Sequence, residues 1–239
     1  MKKLLLSFML LCSTTFADTI NILAAANLSK VLEEIKENFL KQHKTHQIHI
    51  SFLSSGKAYA QIKNNASVDL FISADTSYPQ KLFEDNLASK PQVYAQGILV
   101  LWSKTTKLQN LDNLLEVDIK KIALPNPNLA PYGRAGKEVL EKTGLYKQIQ
   151  DKLIQATSIS QAHQWVESKN AQAGFGALSL IDKDNPEVSF IIIDPSLYTP
   201  IKQALSITKS GQTKQLAKDF ANFILHSQDI FKKYGYLVP

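Results

Sequence analysis

The chain has 239 residues, with 27 Lys and Arg against 21 Asp and Glu, a formal net charge of +6, and a single cysteine, Cys12. That length suits one large domain or two lobes of about 100 residues, each with its own core. The basic excess is mild and scattered, and Arg134 is the only arginine. The bidentate contacts of nucleic-acid binders are therefore poorly supplied, and nucleic acid is not an expected partner.

At the start, Met1-Lys2-Lys3, the apolar run "LLLSFMLLC" and Thr15-Phe16-Ala17 have the three-part form of a secretory signal. Residues 1–17 are expected to be removed before Asp18. The run is too short to span a bilayer, and Leu11 is not the small residue that precedes a lipid-anchoring cysteine. Processing leaves 222 residues (239 less 17) with no cysteine, and the loss of Lys2 and Lys3 lowers the charge from +6 to +4. Disulfide and thiolate chemistry are thereby excluded from the mature chain.

From Asp18 onward, short apolar runs alternate with helical patterns, the mark of an α/β architecture with largely parallel sheets. Residues 19–24 read as a strand, and Leu28, Val31, Leu32, Ile35 and Phe39 then fall at helical spacing. A strand at 48–53, a helix at 57–63, a strand ending at Ser73 and a helix over 78–85 continue the rhythm. It restarts with the long run "GILVLWSK" at 97–104, a helix at 108–115 and a strand at 121–124. Helices at 135–142, 146–153 and 160–168 and strands at 173–178 and 190–193 follow. The mixed strand "IKQALSIT" (201–208) precedes helices at 213–225 and 228–233.

Two restarts predict two lobes, 18–97 plus 206–239 and 98–205. No Pro- or Ser-rich linker separates them, so the long runs at 97–104 and 201–208 are the natural crossings. The C-terminal helices would return to the first lobe.

Catalytic signatures are absent: no nucleophile elbow, P-loop, dinucleotide fingerprint or H-E-x-x-H occurs. His43, His46 and His49 sit three apart, but "HQIHIS" opens a strand, which sends His46 and His49 to opposite faces. They read as surface histidines rather than metal ligands. What recurs is a junction in which a strand ends, small polar residues follow and a helix begins. It occurs at "AAANLSKV" (Asn27), "FLSSGKAYAQI" (Ser54, Ser55, Gly56), "LPNPNLAPYGRAGKEVL" (130–133) and "ATSISQAHQWV" (158–160). Capping alone explains Ser and Asn there. The small Ala25, Ala26 and Gly56 beside them also let backbone N–H groups approach an anion at helix N-termini.

These segments, together with "DLFISAD", "SISQAHQWVESKNAQAGFGALS", "PIKQALSITKSG" and "KKYGYLVP", resemble the periplasmic molybdate-binding component of ABC transporters. The resemblance covers essentially the whole mature length. It implies a two-lobe type II periplasmic solute-binding fold, with mixed, mostly parallel sheets joined by two crossover strands. It also implies a periplasmic location, a monomer, no cofactor, molybdate or tungstate as ligand, and a membrane permease as partner. By position it assigns the oxyanion contacts to the Asn27 side chain or N–H, the Ser55 hydroxyl and N–H, and the N–H groups of Tyr132 and Ile159. Two departures stand out: Asn27 where many members have serine, and Ala177 in "GFGALS" where some carry a ligand tyrosine.

Molybdate and tungstate are unprotonated dianions at neutral pH, so a cage of neutral donors suits them and penalises a protonated phosphate left without an acceptor. A receptor for sulfate or another small oxyanion is the alternative. An enzyme using the interlobe cleft is less favoured, because the four junctions offer no nucleophile and base. Arg134 reads as a surface or structural residue rather than a carboxylate clamp. Tyr234 and Tyr236 read as packing rather than as ligands for ferric iron.

Overall fold

A computed structural model describes residues 17–239. The expected leader lies outside the described residues except for Ala17. The chain runs β1 (Thr19–Ala25), a 3-10 turn (Ala26–Leu28), α1 (Ser29–Gln42), β2 (Gln47–Leu53), α2 (Ser55–Lys63), β3 (Leu70–Ser73), α3 (Ser77–Glu84) and β4 (Gln92–Gly97). It continues through β5 (Leu99–Ser103), β6 (Ile122–Pro125), α4 (Pro131–Lys142), α5 (Tyr146–Ile149), β7 (Leu153–Ala156), α6 (Ile159–Glu167), β8 (Ala173–Ala177) and β9 (Ser189–Ile192). The last elements are β10 (Ile201–Ile207), α7 (Gln215–His226) and α8 (Gln228–Lys233).

Two five-stranded sheets form, in the orders β2-β1-β3-β10-β4 and β7-β6-β8-β5-β9. In the first, β1 is parallel to β2 and β3, while β10 is antiparallel to β3 and β4. In the second, β6 is parallel to β7 and β8, while β5 is antiparallel to β8 and β9. Each sheet therefore has four strands pointing one way and one reversed, and the reversed strand is the one reached from the other lobe. The mixed, mostly parallel two-lobe fold is as anticipated.

Sequence pattern explains the layers. β1 lies between two neighbours and is buried from Ile22 to Ala25, so its apolar residues run on without alternation. α1 buries Val31, Leu32, Ile35 and Phe39, one face at helical spacing. Phe39 meets Phe220 and Phe223 of α7 edge-on at 5.1 and 5.3 Å. Glu34 of α1 accepts from Lys233 Nζ and the Tyr234 hydroxyl, so both C-terminal helices close on the first lobe. Leu237 then pairs with Gln96 on the edge of β4.

Five details differ from the sequence reading. β10 lies wholly in the first sheet, with Ile201 opposite Gly97, so the second lobe ends before Ile201 rather than at 205. Its buried run from Gln203 to Ser206 is that of an interior strand. The crossings are short, at Ile98 and between β9 and β10. β4 was not anticipated, because its exposed Gln92 and Val93 hide the pattern. The helix expected over 108–115 is a 3-10 turn at Leu111–Leu115, opened by an Asn110–Asn113 capping box, and the one over 146–153 ends early and gives way to β7.

Candidate functional site

β1, β2, β6 and β7 all end at the same region of the cleft, and the helix that follows each one starts there. The 3-10 turn runs directly into α1 and places Asn27 at its start. α2 starts at Ser55, α4 at Pro131 with Tyr132 next, and α6 at Ile159. Asn27, Ser55, Tyr132 and Ile159 all line one small pocket, about 10 Å³ in volume, together with Ala25, Ala26, Ser54 and Ala130. The four residues singled out in the sequence are thus brought together, two from each lobe.

Donors can be traced one by one. First-turn N–H groups have no acceptor within their own helix. In α4, Pro131 has no N–H and Arg134 N–H returns to Ala130 O at 3.0 Å, which leaves Tyr132 N–H as the first donor of the helix. In α6, the Ser158 hydroxyl takes Gln161 N–H at 3.2 Å, and the Ile159 N–H stands ahead of it. In α2, the Ser55 hydroxyl accepts from Ala74 N–H at 3.0 Å, so its own proton is free to donate. No Asp, Glu, Lys, Arg or His lines the pocket. An anion there would be met by helix dipoles and neutral donors.

The Asn27 side chain is held within the protein. Its side-chain Nδ2 donates to Gln203 Oε1 and to the Tyr236 hydroxyl, both at 2.9 Å. Its carbonyl accepts from the Ser179 and Tyr236 hydroxyls, again at 2.9 Å. Both amide hydrogens are therefore engaged by Gln203 and Tyr236, neither of which lines the pocket. Gln203, Ser179 and Tyr236 were missed as supports of the site, since Tyr236 is 209 positions from Asn27 and no local pattern joins them. Tyr236 is more than packing: it is buried and fully hydrogen-bonded.

The Tyr132 side chain runs back into the joint between the lobes, where a Cβ on Gly97 would overlap its hydroxyl. That hydroxyl approaches the Asn27 side chain, and both it and Asn27 Oδ1 lack a partner. Burial, reinforced by neighbouring phenols, holds the Tyr132 and Tyr94 hydroxyls well above their ordinary pKa, and burial does the same for Tyr236. All three stay neutral. Ala177 is buried in β8 opposite Leu99 and does not line the pocket.

The lobes are closed on one another. Gly56 N–H donates to Leu129 O at 2.9 Å and the Tyr78 hydroxyl to Asn128 O at 3.0 Å. Ser160 Oγ reaches Ala26 O, and Lys30 Nζ reaches Leu180 O. Arg134 pairs with Asp75 across the cleft at 2.5 Å, a structural role that removes it as a carboxylate clamp. Gly56 thus serves lobe-to-lobe approach: a Cβ there would sit 3.0 Å from Leu129 O. The three histidines are not gathered. His43 stacks on Phe39 at 4.1 Å, and His46 Nδ1 accepts from Asp18 N–H. Among the described residues no helix is long and apolar enough to cross a membrane.

Two α/β lobes joined by short crossings, shut over a pocket ringed by helix N-termini, define a hinged solute receptor. A family model for bacterial extracellular solute-binding proteins matches residues 20–237, and the chain belongs to that family. It is 35% identical over 219 residues to the molybdate-binding protein ModA of Rhodobacter capsulatus, covering 89% of this chain and 86% of that one. It is 34% identical to ModA of Azotobacter vinelandii, over 95% and 93% of the two chains. The solved Azotobacter vinelandii periplasmic molybdate-binding protein superposes with a TM-score of 0.85 at 35% identity, covering 92% of this chain and 99% of that one.

Proposed function

We propose that the chain is a periplasmic receptor that captures molybdate, and tungstate alongside it, between its lobes and delivers it to the membrane permease of an ABC transporter. Asn27, Ser55, Tyr132 and Ile159 supply the donors: main-chain N–H from all four, and the Ser55 hydroxyl. The observation that carries this reading is the convergence of four helix N-termini, two per lobe, on one pocket without a charged side chain. The names of the two ModA relatives support the choice of ion.

Neutral donors suffice because the field of each helix N-terminus, roughly half a positive charge, is fixed and aimed. Charge-assisted hydrogen bonds of about 1.5 to 3 kcal/mol each, several together, support submicromolar affinity after the costs of closure and desolvation. An oxyanion bearing a proton would bury an O–H against donors only, which disfavours hydrogen phosphate. Sulfate has the right charge but is smaller, so a rigid cage that closes on the larger molybdate would leave some donors too far from it. The pocket lining also offers no general base, in keeping with a receptor rather than an enzyme.

Calorimetric titration of the chain from Asp18 onward with molybdate, tungstate, sulfate and phosphate tests this. Tight binding of the first two and weak or no heat with the others is expected. Absence of both heat and thermal stabilisation with molybdate and tungstate would overturn it.

A further inference from the structure

We propose that Ser54 is a further contact to the oxyanion, through its side-chain hydroxyl, an inference that rests on the receptor reading above. Ser54 is the N-cap residue of α2, with the extended backbone (φ −68°, ψ 146°) that such a residue adopts. An N-cap serine normally turns its oxygen onto the N–H of the second or third helical residue. This one does not: its side chain makes no capping bond, and the N–H of the second residue, Gly56, is given to Leu129 O of the facing lobe. Only the Ser54 carbonyl serves the helix, accepting from Ala58 N–H at 3.0 Å.

The hydroxyl left over is buried. Ser54 is 4% exposed, its Oγ has no hydrogen-bond partner, and it lines the same pocket as Asn27, Ser55, Tyr132 and Ile159. Buried hydroxyls are nearly always paired, so an orphan in a pocket wall points to something that enters the pocket. That group must accept a hydrogen bond and need not donate one, because the surrounding main-chain groups at the helix starts are donors. A fully deprotonated tetrahedral oxyanion meets both conditions.

Ser54 and Ser55 thereby divide the work. Ser55 Oγ is oriented by the Ala74 N–H it accepts, so its proton has a set direction. Ser54 Oγ accepts nothing and can rotate about its C–O bond to meet an oxygen wherever the ion settles. The family resemblance assigned only Ser55; the structure adds the physical difference, a partner on Ser55 Oγ and none on Ser54 Oγ.

The test is calorimetric titration of the wild-type protein, Ser54→Ala and Ser54→Gly with sodium molybdate, with thermal melts of each protein without ligand. Glycine is an acceptable N-cap, so the second variant guards against a local packing effect of the first. Both variants are expected to bind molybdate about tenfold or more weakly, with ligand-free melting temperatures within about a degree or two of wild type, because the hydroxyl holds nothing in the fold. Wild-type affinity in either variant overturns the role of Ser54 while leaving the receptor reading intact. Failure of the wild-type protein itself to bind molybdate overturns both.

Discussion

Replacing Gly56 with alanine tests lobe closure without touching any group assigned to the ion. Gly56 lies in the first turn of α2 at a negative φ, so alanine is compatible with its backbone. The added methyl would stand 2.7 Å from the Tyr78 hydroxyl, 3.0 Å from Leu129 O and 3.1 Å from Leu129 Cα. The Tyr78 hydroxyl is itself pinned to Asn128 O, so the facing loop as a whole must withdraw by a few tenths of an ångström. That strain costs about 1 to 3 kcal/mol, and stretching the Gly56 N–H bond to Leu129 O adds about 0.5 to 1 kcal/mol. The contacts with Leu129 exist only in the closed arrangement, and Tyr78, which belongs to the same lobe as Gly56, is held against it by its closed-state bond to Asn128 O. Molybdate affinity should fall roughly 10- to 700-fold, at about 1.4 kcal/mol per factor of ten. The open protein gains up to about 1 kcal/mol from replacing a helical glycine. Calorimetry and ligand-free denaturation on one sample should therefore move in opposite directions. Unchanged affinity would refute the claim that Gly56 governs approach of the lobes.

Four further outcomes are expected. Ser55→Ala should weaken molybdate binding by about 1 to 3 kcal/mol, and calorimetry should show it, because both the Ala74 N–H partner and a charge-assisted donor are lost. Tyr236→Phe should lower unfolding stability in urea by about 1 to 3 kcal/mol, since it removes the hydroxyl bonded to Asn27 and Ser179. Arg134→Gln should weaken binding only about two- to fivefold, as the arginine side chain is 42% exposed, and raising the salt should erase the difference from wild type. His163, stacked on Trp102, has its pKa lowered from 6.5 to about 4 by burial, with Glu167 opposing and Lys30 and Lys104 adding to the shift. The unfolded chain takes up this proton first, so the stability held above pH 6.5 should be lost as pH falls towards 4. The loss is up to about 3 kcal/mol, and His163→Gln should flatten that part of a urea-denaturation pH profile.

The strand-to-helix junctions were legible because each is local: a buried strand, small residues and a helix face at regular spacing all fall within about fifteen positions. That is why the four junctions could be picked out, while the choice of Asn27, Ser55, Tyr132 and Ile159 within them came from the family resemblance; all four line one pocket. What could not be read depended on distant partners. The direction of the Asn27 amide follows from Gln203 and Tyr236, and the unpaired state of the Ser54 hydroxyl follows from the Ala74 N–H going to Ser55 instead. β10 reads like a bridge between lobes in isolation, and only its pairing with β3 and β4 places it inside the first sheet. Gly56 was read as making room for a ligand, yet the backbone it admits is that of Leu129.

The Asn27 to Tyr236 bonds also carry a temporal consequence. The first lobe receives its fourth strand in sheet order, β10, only after residues 201–207 exist, and the brace behind Asn27 only after Tyr236, three residues from the C-terminal Pro239. Contacts of such long sequence separation form late in folding. A chain still being synthesised or threaded across a membrane therefore has the donors of the early junctions but not the support that holds them in register. Asn27 is thus held in register only once residues as distant along the chain as Gln203 and Tyr236 have folded against it.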